Sequence, residues 1–504
     1  MVKLEDIADL GLLQAPLKAD PTTKAATALE RVPSNYKSLD TFALPKDRQY
    51  QQQFADIYFL RLTKIKPAVE QIAYEAWEDT VLGGDNAKKV ERVLDVRQGE
   101  LCWVAGTVYM DMPLKPSILE DVSKDRWISA PTSVDHYYSE DGRDQIMLED
   151  DSGRIRLVGE PLKNYFLVTG CIIAVMGTEN ANGEFEVIDL KFADLPPQPP
   201  RWALSDKDKK TKSEDLSMID ISAPSKRIAI VSGLGFSGSS TAYSAELKVL
   251  KEYLAAQALD AKTQSSEQSK ISRLIIAGNS IAEATSSDPH SNNPSTKTHT
   301  KKYGYDASSY NPLPSQLLDS FLSELLPSLP ITLLPGPNDP ANSSYPQQPI
   351  HSAMFPESRY YGPTPSLPDE PGWLDATTNP FESEIEGWRV LGTSGQNLDD
   401  ICKYMDNPDR LGLMEAMCRW RCSAPTAPDT LWSYPFQDDE PFVMKECPHL
   451  YFVGSQPKFD SKVIEGPDGQ MVRLILVPKF SETREVVLVD TETMELSVVR
   501  LSAE

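Results

Sequence analysis

The chain has 504 residues, of which 40% are hydrophobic and 25% charged, with 74 acidic against 50 basic side chains and a formal net charge of −24. That length accommodates roughly two to four domains with sizeable cores, in ordinary soluble globular material. The charge argues against a protein that wraps nucleic acid unaided, because counterion release needs Lys and Arg clustered against phosphates.

Residues 1–45 read as a flexible arm punctuated by Pro16, Pro21, Pro33 and Pro45. Its opening, Met1-Val2-Lys3-Leu4-Glu5-Asp6, is charged and lacks the apolar core of a secretory signal. Nowhere do ~18 apolar residues run together, so no membrane span is expected. Residues 46–93 form a helical segment. Phe54, Tyr58, Leu62, Ile65, Val69, Ile72 and Ala76 recur every three or four residues as one apolar stripe, which Pro67 is expected to split into two helices.

From 94 to 200 the pattern is that of strands: 101–109, 145–150, 154–157, 167–177 and 184–189, with a hairpin turning at Asp151-Ser152-Gly153. Five short strands with Gly at the bends fit an OB-fold barrel. Such barrels often stack single-stranded bases on aromatic side chains above a basic groove. Here Glu149, Asp150 and Asp151 flank that groove instead. The stretch Pro196-Pro197-Gln198-Pro199-Pro200 closes the barrel, and a charged linker fills 201–226. Within it, Lys207-Asp208-Lys209-Lys210-Thr211-Lys212 reads as solvated linker first and as a nuclear import signal second.

Residues 227–504 alternate strands with helical stretches at 245–258, 317–326 and 411–420, the mark of α/β layering. The runs 471–477 and 486–490 look like a closing hairpin-type pair, with 496–501 as a third strand. Two inserts, 286–310 (rich in Ser, Asn, Thr and Lys) and 356–375 (rich in Pro and Gly), carry too little apolar surface to order themselves. The six cysteines, Cys102, Cys171, Cys402, Cys418, Cys422 and Cys447, include no C-x-x-C and are too sparse for a disulfide framework, so a reducing compartment is expected. Cys418 and Cys422 share a helical spacing, and core packing is the better reading for them.

The functional question turns on Arg227 to Gly238. A buried strand, Ile228-Ala229-Ile230-Val231, runs into Ser232-Gly233-Leu234-Gly235-Phe236-Ser237-Gly238. The G-x-G-x-x-G spacing would suit a dinucleotide pyrophosphate, but the acidic ribose ligand expected ~20 residues on is missing. The next strand, 273–277, ends instead in Gly278-Asn279. A binuclear metallophosphoesterase fits better, since further strands run into Pro335-Gly336-Pro337-Asn338-Asp339, Gly392-Thr393-Ser394-Gly395-Gln396-Asn397 and Gly454-Ser455-Gln456-Pro457. That order follows the D-x-H, G-D, G-N-H-D, H-G and G-H-x-H series, but the ligands are gone. Gly233 and Gly235 replace the first Asp and His, and Asn279 the next Asp. Pro337 and Asn338 stand for Asn and His, Ser394 for a His, and Ser455 and Pro457 for the last two. Asp339 alone keeps a ligand type. One carboxylate and an amide cannot hold two transition-metal ions. His136, His290, His299, His351 and His449 all lie elsewhere. No cofactor, no metal and no catalytic residue is therefore expected. Asp399-Asp400 reads as a helix cap, and Ser232, Ser394 and Ser455 lack a neighbouring base.

The turn Val231-Ser232-Gly233-Leu234-Gly235 and the run Gly392-Thr393-Ser394-Gly395-Gln396-Asn397, together with Ser423-Ala424-Pro425-Thr426-Ala427-Pro428-Asp429-Thr430-Leu431, Cys447-Pro448-His449-Leu450-Tyr451-Phe452, the run 112–119 and the run 148–155, resemble the small regulatory (B-family) subunits of eukaryotic DNA polymerase delta over residues 40–504. Cys422 departs from the pattern, which has a His there, and the two inserts are extra. The resemblance implies an OB barrel packed on an inactivated calcineurin-like phosphoesterase domain. It also implies a nuclear, non-catalytic scaffold for replication and repair. That scaffold would hold the C-terminal metal-binding region of the catalytic subunit and the N-terminal domain of a third subunit, and would serve the polymerase zeta catalytic subunit as well. It would meet DNA only through the complex. Two other classes stay open at this point: a metal-dependent phosphodiesterase with a degenerate site, and a single-stranded-DNA-binding OB module.

Overall fold

The computed structural model describes residues 31, 33–46, 55–116, 135–201, 226–237, 241–257, 267–282, 311–363 and 372–502. Phe54, residues 117–119, the basic linker run 207–212, Gly238, the insert 286–310 with His290 and His299, and 364–371 of the second insert lie outside them.

The first helix, α1 (Ala55–Trp77), runs unbroken through Pro67, correcting the expected split. Pro67 lies on the exposed side, and Thr63, whose carbonyl loses its partner, is exposed too, so water can satisfy it. The buried stripe also differs from the expected one: it is Ile57, Arg61, Ile65, Val69, Ala73 and Trp77, spaced by four. Tyr58, Leu62 and Ile72 flank it, and Ala76 is exposed. Burying an arginine rotates the face by one position, which an apolar tally cannot anticipate.

Helix α1 lies on a barrel of β5 (Cys102–Asp111), β6 (Gln145–Glu149), β7 (Arg154–Val158), β8 (Ile172–Glu179) and β9 (Glu184–Lys191). The ring closes because β5 pairs with both β6 and β8, while β7 pairs parallel with β9. That order is the expected OB arrangement. Alternate residues (Val104, Val108, Leu148, Ile155, Ile173, Val175, Phe185) fill the interior. Gly177 sits at a register shift in β8, where a Cβ would collide with Glu186 O, so the strand can bend there. Three short strands precede the barrel, β2 (Val81–Leu82), β3 (Asp85–Asn86) and β4 (Lys88–Lys89), the last pairing with β5.

Beyond the barrel, two six-stranded sheets stack face to face. The first has the order β13 (Leu374–Ala376), β12 (Ile331–Leu334), β11 (Ile271–Ala277), β10 (Arg227–Val231), β19 (Glu485–Asp490), β20 (Leu496–Arg500). The second runs β1 (Tyr36–Leu39), β14 (Phe381–Ile385), β15 (Trp388–Thr393), β16 (Leu450–Gln456), β18 (Met471–Pro478), β17 (Asp460–Glu465). Ile228, Ile230, Ile275 and Val487 of one meet Phe381, Val390, Phe452 and Ile475 of the other between them. The parallel strands are continuous apolar runs because both their faces are covered.

Helices α2 (Thr241–Leu254) and α3 (Leu313–Leu325) cover the outside of the first sheet, with Leu247, Leu250 and Leu254 inward as expected. Helices α4 (Gln396–Cys402) and α5 (Arg410–Arg419) cover the second, next to the barrel. One hydrophobic cluster runs from Val108 and Phe185 of the barrel to Met417, Trp420, Tyr451 and Leu474. The barrel and the sheets therefore share a core.

Two further expectations are corrected. Residues 471–477 and 486–490 form no hairpin: β18 pairs with β16 and β17, β19 with β10 and β20, and the short α6 (Phe480–Thr483) carries the chain between the sheets. Both are apolar runs buried on two faces, so their pattern does not reveal which strand each one meets. The arm at 1–45 is in part an edge strand, since Tyr36–Leu39 pair antiparallel with β14. Beyond the barrel, Gln198 Nε2 donates to Pro448 O at 3.1 Å and Met471 O at 2.8 Å, fastening the Pro-rich exit to the second sheet.

Candidate functional site

The parallel strands of both sheets end along one edge, and the turns that carried the ligand comparison meet there. Ser232, at the end of β10, is fully buried. Its Oγ donates to Ala277 O at 2.6 Å and accepts the Ser455 N–H at 2.8 Å. The Ser455 Oγ lies 3.2 Å away and accepts from Asn279 Nδ2 at 2.8 Å. Asn279 Oδ1 in turn accepts the Asn338 N–H at 3.2 Å. Gly233 and Gly235 have φ of +63° and +60°, and their N–H groups donate to the carbonyls of Gly278 and Asn279. They hold the turn, and the positive φ is the reason for glycine.

Ser394 Oγ donates to Pro335 O at 2.6 Å, linking β15 of one sheet to the turn after β12 of the other. The Ser394 N–H goes to Asn379 Oδ1 at 3.0 Å. Asn379 and Gln347, neither of them singled out from the sequence, form an amide cluster with Gln396 of the strand-end turn: Asn379 Nδ2 donates to Gln347 Oε1 and Gln396 Oε1, both at 2.9 Å. Gln347 Nε2 reaches Gly336 O at 3.1 Å. Isolated amides scattered over 50 residues leave no spacing signal.

Asp339 is buried and takes N–H donations from Ile281 at 2.9 Å and Gly336 at 2.8 Å. Burial pushes its carboxyl up to about 6, against those hydrogen bonds, which lower it. It ties loops together rather than presenting free oxygens. Pro337, Asn338 and Pro457 are exposed. The strand-end edge thus brings together Gly233, Gly235, Asn279, Asp339, Ser394 and Ser455, and its lone pairs are used on one another. A Ser, Asn and Gln set with one loop-tying carboxylate does not fit a pair of transition-metal ions. Among the described residues, no three His, Cys, Asp or Glu side chains gather as a metal set.

Asp399 and Asp400 do not both cap α4, correcting that reading. The residue at the helix start is Gly395, with φ +116°. Asp399 pairs with Arg410 at 2.7 Å. Asp400 is buried, where desolvation raises its pKa, and accepts from Tyr137 Oη at 2.8 Å and Thr430 Oγ1 at 2.6 Å. His449 packs on Trp388 and accepts the Arg389 N–H on Nδ1 at 3.0 Å; burial lowers its pKa. Cys418 and Cys422 are both buried in the core, and α5 ends before Cys422.

The segment between β5 and β6 is engaged with the second unit as well. Between β5 and β6, Tyr137 N donates to Lys403 O at 2.7 Å, and Lys115 pairs with Asp429 at 2.7 Å. Tyr109, on the outer face of β5, has Lys115 Nζ 4.2 Å and the Arg154 guanidinium 4.7 Å from its ring centre. At the acidic hairpin, burial raises the Asp150 pKa, but hydrogen bonds from Ser152, Val93 and Gly153 outweigh it and hold the group low. Its charge shapes the turn.

Comparison with known proteins fits this arrangement. The family model for the B-type subunits of DNA polymerases alpha and epsilon matches residues 228–461, and that of the DNA polymerase delta subunit OB-fold domain matches 53–190. The chain is 34% identical over 476 residues to the DNA polymerase delta small subunit of Arabidopsis thaliana, spanning 94% of this chain and 97% of that protein. It is 32% identical over 489 residues to the Saccharomyces cerevisiae protein of the same name, spanning 90% and 91%. It is 31% identical over 480 residues to DNA polymerase delta subunit 2 of Drosophila melanogaster, spanning 94% and 99%.

Proposed function

We propose that this chain, which belongs to the family of DNA polymerase delta small subunits, serves that polymerase by assembly and not by chemistry. The observation that carries the reading is the strand-end edge. Its layering of helices, sheet, sheet and helices resembles a calcineurin-like phosphoesterase, but its donors are serines and amides satisfied by one another. The domains we assign are the arm at 1–45, the helical segment at 46–93, the OB domain at 94–200, the linker at 201–226 and the inactive phosphoesterase-like domain at 227–504. The core shared between barrel and sheets supports treating the OB and phosphoesterase-like domains as one rigid platform.

On that platform we place the C-terminal metal-binding region of the catalytic subunit and the N-terminal domain of a third subunit, in the nucleus, during replication and repair. The polymerase zeta catalytic subunit would use the same platform. DNA is reached only through the complex. The engagement of Lys115 and Tyr137 with the second unit counts against a free single-strand groove. The test is elemental analysis of the purified chain alongside a phosphodiester hydrolysis assay. The expected result is less than stoichiometric Mn, Fe or Zn and no turnover. One or two tightly held ions per chain, with activity abolished by Asp339→Ala, would sink the reading.

A further inference from the structure

The residue that breaks the amphipathic pattern of α1 has a use. Arg61 is completely buried, on a helix that otherwise packs against the barrel. Its guanidinium leaves the barrel and enters the loop that begins at Ser423. There Nη1 donates to Pro425 O at 2.5 Å, and Nη2 to Ala427 O at 2.8 Å and, more weakly, to Ala424 O at 3.5 Å. Nη2 also meets Glu440 Oε1 at 2.9 Å, and Glu440 is itself completely buried. Three backbone carbonyls and a carboxylate therefore converge on one fork, a planar geometry that Lys cannot reproduce.

The barrel makes room for this contact. Gly170 has φ +91°, and a Cβ there would collide with Pro425 O and crowd Arg61 Nη1. Helix, barrel and second-unit loop thus meet at a single point. The same loop continues to Asp429, which holds Lys115, and to Thr430, which holds Asp400. Hydrophobic packing between the two units is non-directional. The Arg61 fork is directional, and it fixes how the Ser423–Leu431 loop lies against the barrel.

We propose that Arg61 is the positioning residue that sets the orientation of α1 and the barrel relative to the sheet unit, and so the alignment of the partner surface that the two share. This rests on the scaffold reading above. A partner that spans both units binds only the aligned arrangement, so its apparent affinity scales with the population of that arrangement. If the latch-free chain is aligned about a tenth of the time, the apparent Kd rises about ten-fold.

The test uses the full chain with spin labels at Glu160 on the barrel and Lys458 on the sheet unit, both exposed, in a Cys402→Ser background. Inter-label distances are measured, together with capture of the polymerase delta catalytic subunit. The double variant Arg61→Met/Glu440→Gln removes the fork without stranding a buried charge, Arg61→Lys keeps the charge but not the fork, and Gln71→Ala, exposed on the same helix and bonded there to Glu75, is the control. Gly170→Ala attacks the latch from the barrel and serves if the Arg61 variants do not fold. The expected result is one narrow distance distribution in the parent and in Gln71→Ala. The latch variants should give a broadened or shifted distribution and about ten-fold weaker capture, with no rescue by Lys. A parent-like distribution in folded latch variants overturns the proposal whatever the capture result. A parent chain that captures no catalytic subunit overturns the scaffold reading instead, while the distance measurement still decides the role of Arg61.

Discussion

Ser232→Ala tests whether the strand-end edge now works as a seam. Ser232 Oγ is the partner of the Ser455 N–H at 2.8 Å and donates to Ala277 O at 2.6 Å. Ser455 has φ +58° and sits at a register shift of β16, where no ladder partner is available to its N–H among the described pairings. Truncation to Ala removes a single oxygen, so the cavity is negligible and no water replaces the lost acceptor. One buried N–H is left unpaired, at a cost of ~1–3 kcal/mol. The Ala277 carbonyl also loses a donor, which adds less because Ala277 stays paired with Leu334 of β12. A net loss of ~2 kcal/mol translates to about 2–4 °C in Tm, because the sheet unit exceeds ~250 residues and shares its core with the barrel. Differential scanning calorimetry or a urea transition reads it directly. Ser394→Ala, which strands only a carbonyl, should cost about half as much. If Ser232→Ala stays within ~0.5 kcal/mol of the parent, as surface substitutions do, the cluster does not hold the sheets together.

Burial raises the Asp339 pKa to about 6 from 3.8, so its contribution favours folding at low pH and is lost as pH rises through about 6. Relative to Asp339→Asn, the parent should lose ~3 kcal/mol of unfolding free energy between about pH 4 and 7; a flat difference curve would contradict the burial argument. Gly392 lies opposite Phe452, and a Cβ there would overlap the ring. Gly392→Ala should therefore cost ~1–3 kcal/mol by overpacking, measured by chemical denaturation, and a neutral variant would mean the ring moves freely. The free chain should bind single-stranded DNA no more tightly than ~10⁻⁴ M at physiological salt. A sub-micromolar, steeply salt-dependent Kd by fluorescence anisotropy would restore the nucleic-acid reading.

The barrel was legible because each of its strands is a short run bounded by turn residues, and Asp151-Ser152-Gly153 marks its hairpin without ambiguity. The strand-end turns were legible for the same reason: Gly233, Gly235 and Asn279 all take positive φ, which restricts the residues allowed. What they do was only half legible. Loss of the ligand types at Gly233, Ser394 and Ser455 can be read off the chain, but that Ser232, Gln347 and Asn379 fill the gap depends on contacts between residues far apart in sequence. Arg61 was missed because a charged residue reads as exposed unless its partner is known, and its partners lie some 360 residues away. The strands at 471–478 and 485–490 were wrongly paired because two-sided burial erases the alternation that sets register and neighbour.

On the scaffold reading the chain acts by holding a polymerase together. Its most direct test is to mix the purified chain with the C-terminal region of the DNA polymerase delta catalytic subunit, follow the mixture on a sizing column, and measure the Tm with and without that partner. Stoichiometric co-elution is expected, with a Tm that rises with partner concentration, because a ligand of the native state stabilises it by mass action. Separate elution with an unchanged Tm would refute the scaffold role.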